Sequence, residues 1–209
     1  MATAVQLEHD FDNTNVVRVF RSSVVLVIVQ AVVVLAISQV NRLDGPANRA
    51  LSAVFFAAGA LFTIFYPGVK TRARTIEGIA GAAGIGLGAT WLFVFVDAFI
   101  LQPLHTYTNR WLTVGGGSNW WYLPVWWMVG TYLSWMGGWI LANQTRRSGQ
   151  ASVPMAAVLL AVTTAICGAG AAILGFPGAG WNVPTFAIAV LPGLLLANGI
   201  TLFGASRSS

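Results

Sequence analysis

The sequence predicts an all-α integral membrane protein, a bundle of about six transmembrane helices with the N- and C-termini both inside. Three observations predict it. Apolar stretches recur along the chain, each near the roughly 20 residues that a hydrocarbon core of about 30 Å demands of a helix. Residues 22–40 and 152–175 reach that length without an acidic or basic side chain. Charged residues make up only 8% of the 209 against 56% hydrophobic, too few to cover a water-soluble globule, which carries about 25%. Finally, Lys and Arg gather between alternate stretches, as the positive-inside rule demands.

Each element follows in order. Residues 1–19 form a polar cytoplasmic segment in which Glu8, His9, Asp10 and Asp12 precede Arg18, with Arg21 just inside the first span. No small-residue cleavage site follows the first apolar run, so that run is expected to remain as a span rather than leave as a signal peptide. Residues 20–206 form the transmembrane domain, with spans over 20–40, 50–66, 77–101, 120–142, 152–175 and 183–204, and 207–209 form a short tail. Pro46 turns the chain after the first span, and Pro67 with Gly68 stops the second. The third span leads into the longest connection, 102–119, which holds Pro103, His105 and the glycines 115–117. Pro154 opens the fifth span in the first turn, where its missing N–H costs least, and Pro192 kinks the sixth.

With the N-terminus inside, eight basic residues (Arg18, Arg21, Lys70, Arg72, Arg74, Arg146, Arg147 and Arg207) lie on the inner side, against Arg42, Arg49 and Arg110 outside. Trp111, Trp120, Trp121, Trp126, Trp127 and Trp181 then fall at outer loops or outer helix ends, an interfacial aromatic belt whose indoles keep one N–H wet. Such a belt is foremost an anchor, and secondly a surface for a partner, pigment or quinone. The lipid bilayer is the first partner, and other membrane subunits or further copies of this chain are the second. The net charge of +5 is scattered in ones to threes, which suits anionic headgroups and not nucleic acid.

Small residues at helical spacing mark the packing faces. Gly81, Gly84 and Gly88 stripe the third span, and Ala157, Ala161, Ala165, Ala169 and Ala172 the fifth. In lipid, where helices gain little by hiding apolar surface from each other, such faces allow close van der Waals approach. Asp97 is the one acid inside an apolar span, about 30 Å along the third helix and so near its outer rim. Gln30, Thr163, Thr164 and Asn198 are uncharged polar groups at depth, read foremost as interhelical glue.

Chemistry is conspicuous by its missing motifs. The chain has no GxSxG, HExxH, Walker-type loop or CxxC, its single Cys167 excludes an intrachain disulfide, and no histidine sits mid-span to ligate a haem. One Asp and one His make a poor metal site, so neither a metal nor a cofactor is assigned. The leading expectation is a non-catalytic accessory or scaffold subunit of a larger complex in a bacterial-type inner or plasma membrane. Its rival is a transporter or channel for a small neutral or weakly charged solute, with Asp97, Gln30, Asn198 and the Pro192 kink along the path. An enzyme acting on a lipid-soluble substrate through Asp97 and His105 comes third.

Overall fold

The computed structural model describes residues 15–40, 42, 46–106 and 122–205. Among them the chain is helical, without strands: α1 (Val16–Val40), α2 (Pro46–Lys70), α3 (Ile76–Val96) running into a π-helical turn (Asp97–Leu101), α4 (Tyr122–Ser148), α5 (Val153–Ile173) and α6 (Val183–Ala205). Five are long and apolar enough to cross a membrane: Val16–Val40, Ala50–Lys70, Ile76–Leu101, Val153–Ile173 and Val183–Phe203. The exception, α4, has the length but carries Tyr, Ser, Gly and four of the tryptophans.

Its position explains that composition. α4 is the hub of the bundle, packed against α2, α3 and α6, while α1 closes on α2 and α3, and α5 leans chiefly on α6. A central helix meets protein on several sides and needs less lipid-compatible surface. Two apolar cores result. One gathers Ile64 and Phe65 of α2, Met136, Ile140 and Leu141 of α4, Ala156 and Leu160 of α5, and Leu194 and Ala197 of α6. The other joins Leu26 and Val27 of α1 to Ile85 and Ala89 of α3, with Phe62 and Tyr66 of α2 packed against it.

Helix starts follow from local chemistry. The side chains of Asn15, Thr75, Ser152 and Asn182 accept hydrogen bonds from backbone N–H groups two or three residues on, satisfying donors that the first turn leaves free. Asn15 thereby starts α1 at Val16, four residues before the expected 20.

Two expected stops move. α2 runs through Pro67 to Lys70 instead of ending at residue 66. Proline cannot donate to the carbonyl four residues back, that of Thr63, and the Ser134 hydroxyl of α4 donates to that same carbonyl at 3.1 Å. The neighbouring helix supplies the hydrogen bond that the proline withholds, so the helix need not break. α4 likewise continues past Ala142 to Ser148, because Asn143 is buried with its amide on Thr201, and the stop comes only at Gly149 with φ 75°.

Candidate functional site

The polar side chains of the bundle interior, with the Asp97 corner at one end, are where function could reside. On one side of α4, Gln30 of α1 donates to Thr63 Oγ1 at 3.1 Å, and Ser134 donates to the Thr63 carbonyl, so one α2 residue ties three helices together. Ser23 of α1 donates to the Ile85 carbonyl of α3 at 3.1 Å. On the other side, Asn198 of α6 donates to the Met136 carbonyl at 3.2 Å and to its own Leu194 carbonyl at 3.0 Å. Asn143 donates to Thr201 Oγ1 at 3.1 Å, and the Tyr132 hydroxyl donates to the Leu191 carbonyl, just before Pro192, at 2.7 Å. Gln30 and Asn198 thus hold helices together, as glue.

Toward α2 and α3 the close approach comes from small residues, chiefly on α4. A Cβ on Gly137 would overlap the Ile64 carbonyl oxygen, one on Gly130 would overlap Thr90 Oγ1, and one on Gly68 would lie 2.8 Å from the Gly138 backbone. Gly130, Ser134 and Gly138 recur at every fourth position, a small-xxx-small stripe that sequence reasoning passed over beside the more obvious runs in α3 and α5. Within α3, Gly81 is buried and Gly88 faces Ser23, while Gly84 has room for a Cβ. The tight contact there is Gly86, whose Cβ would stand 2.5 Å from Ser134 Oγ. In α5, Ala161 and Ala165 are exposed and Ala157 is half-buried. The face that meets α6 is offset by one residue, through Ala156, Leu160, Thr163 and Gly168. Helical periodicity reports a spacing, and only the neighbour decides which of two adjacent stripes is covered.

Asp97 is 3% exposed and opens the π-helical turn. Its Oδ2 accepts from Gln102 Nε2 at 2.8 Å, and its Oδ1 has no hydrogen-bond partner among the described residues. Gln102 N–H reaches the Asp97 carbonyl at 2.9 Å, the wide hydrogen bond that defines such a turn and is over-represented at functional sites. Nearby, Ser38 of α1 donates to the Thr106 carbonyl.

His105 is not Asp97's partner. It is exposed at φ 48°, and no hydrogen bond joins the two among the described residues. His105 N–H bonds the Gln102 carbonyl at 2.9 Å and Thr106 N–H the Leu101 carbonyl at 3.1 Å, which makes His105 the left-handed residue of a Schellman helix end. Histidine is one of the residues tolerated there without being glycine.

Of the tryptophans, Trp111, Trp120 and Trp121 lie outside the described residues. Trp127 stacks on Trp91 at 4.8 Å, Trp126 is exposed, and Trp181 is exposed against Phe186. Trp91 continues into Phe95 and Phe99, a ladder of rings along α3 and its π-helical turn. Comparison with known protein families, curated proteins and solved structures finds no match for the chain.

Proposed function

We propose that this chain is a six-span membrane protein with both termini on the cytoplasmic side of a bacterial-type inner or plasma membrane, acting as a non-catalytic accessory or scaffold subunit of a larger complex. The observation that carries the reading is the use made of the interior polar groups. Gln30 and Ser134 each bond α2, and Asn143 and Asn198 bond across the α4–α6 contact, so each of the four is tied to a neighbouring helix. A protein built to move a solute or to react keeps such groups turned toward a path. The orientation is supported by Arg72 and Arg74, between α2 and α3, lining one cleft with Thr145 and Gln150, beside Arg146 and Arg147.

The test is native mass spectrometry with an absorption spectrum on protein extracted from its own membrane in mild detergent. The scaffold reading expects reproducible co-purifying subunits. A colourless monomer or homo-oligomer would overturn it.

One observation favours a second reading, a transporter or channel for a small neutral or weakly charged solute: the unbonded, buried Oδ1 of Asp97 at the π-helical turn. Under that reading Asp97→Asn abolishes solute flux into liposomes at unchanged expression. Under the scaffold reading it leaves every flux unchanged.

A further inference from the structure

At the end of the bundle where α2 and α4 finish and α5 begins, a half-open cleft of about 370 Å³ lies between these three helices and the connection that leads from α2 to α3. That volume falls in the range of small-ligand sites, about 300–1,000 Å³. Arg72 and Arg74 line it with the polar side chains of Thr145 and Gln150, and Leu141 and Val153 form an apolar wall. The cleft's base is held by the Gly68–Gly138 crossing, too close for a side chain, so its shape belongs to the packed bundle rather than to loose loops. Its level is set by the span ends: Ala50–Lys70 finishes there, and Ile76–Leu101 and Val153–Ile173 begin there.

The charge is one-sided. Lys70, Arg72, Arg74, Arg146 and Arg147 crowd this end, and the one acid described there, Glu77, is exposed and hydrogen-bonded to Thr75. Arg72 also holds a backbone conformation that the local fold does not ask of an arginine. With φ 47°, it is the left-handed residue of a Schellman end, its N–H on the Val69 carbonyl at 3.2 Å and that of Ala73 on the Gly68 carbonyl at 2.9 Å. The ends of α4 and α5 put Gly149 and Gly175 at that position.

We propose that this cleft binds the phosphate of an anionic phospholipid headgroup, with Arg72 and Arg74 on the phosphate oxygens and the Leu141–Val153 wall against the glycerol and first acyl carbons. Guanidinium groups pair with phosphate through two parallel N–H bonds, and an apolar wall beside them at headgroup depth distinguishes a lipid from a free anion. The inference rests on the helices crossing a bilayer and not on the scaffold role.

The experiment is native mass spectrometry of the full chain in mild detergent, titrated with phosphatidylglycerol or with phosphatidylcholine of the same chains. Phosphatidylglycerol is expected to be retained at one per chain in preference to phosphatidylcholine. The Arg72→Gln/Arg74→Gln variant should weaken it about tenfold or more, while Arg146→Gln/Arg147→Gln, which removes the same charge outside the cleft lining, changes it less than about twofold. Arg72→Gly separates binding from folding: it should weaken retention while its unfolding midpoint does not fall, since glycine takes the left-handed conformation more readily. Equal weakening by the two charge-matched pairs, equal retention of phosphatidylcholine, or displacement by millimolar inorganic phosphate would each overturn the proposal. Recovery of the chain in the carbonate-soluble fraction of its membranes would overturn the bilayer crossing itself.

Discussion

The two sides of α4 hold their neighbours by different means. Toward α2 and α3 the contact is made chiefly by what is missing: Gly130 and Gly137 let backbones approach to where a methyl group would collide with Thr90 or Ile64, with one hydrogen bond added from Ser134 to the Thr63 carbonyl. Toward α6 the contact is made by what is present: Tyr132, Asn143 and the Met136 carbonyl exchange hydrogen bonds with Leu191, Thr201 and Asn198. The difference teaches two ways in which a bundle of long apolar helices is fastened. Close packing is all-or-none, since one atom too many separates the backbones along a whole crossing. Hydrogen bonds are graded, because a helix that loses one finds other partners in the unfolded-in-membrane state.

That contrast can be broken most directly at Gly137. Gly137→Ala should cost about 3 kcal/mol, toward the upper end for overpacking, and yield protein that aggregates on extraction, read by size-exclusion profile and thermal unfolding in detergent. On the polar side, Asn198→Ala should cost about 1–2 kcal/mol and leave a folded, extractable protein whose unfolding midpoint is lowered. If it proved as damaging as Gly137→Ala, the distinction between the two sides would fall. Gly170→Ala sharpens the point from the other direction. A Cβ there meets nothing within 4 Å, so alanine should raise stability by up to about 1 kcal/mol through helix propensity alone. The smallest effect is the pairwise one: a double-mutant cycle of Asn143→Ala with Thr201→Ala should return a coupling of about 0.6 kcal/mol. A coupling several times larger would make the hydrogen bonds the main fastening.

Much of the helical pattern was legible in the chain, because five of its helices are runs long and apolar enough to cross a membrane. Lipid leaves backbone groups no partners outside the helix, so a long apolar run has one way to be stable. Even so, α4 would have been passed over on hydropathy alone, because it carries Tyr, Ser, Gly and four tryptophans among its apolar residues. The proline stop predicted at residue 67 failed for a different reason: the missing hydrogen bond is local, but Ser134, its remedy, lies 71 residues from Thr63. Of the candidate site, the depth of Gln30 and Asn198 marked them as polar groups within spans, and each bonds a neighbouring helix. Their partners were not marked in this way, since Thr63 and Met136 carry no signal of pairing. His105 looked like a partner for Asp97 by proximity in sequence. The Schellman end instead makes it a cap and turns the carboxylate to Gln102.

By itself, then, the sequence determined that this is an all-helical chain with several runs able to cross a membrane, for length and hydropathy are properties of a segment alone. It also determined that small residues would mediate the packing. Only the tertiary structure decided which small residues do so, Gly130, Gly137 and Gly138 of α4 rather than Ala161 and Ala165 of α5. Only the tertiary structure, too, brought Arg72 and Arg74 into one cleft with Thr145 and Gln150. A stripe or a charge is written along one helix, whereas what covers it is chosen by the relative rotation of two helices, which no local pattern encodes.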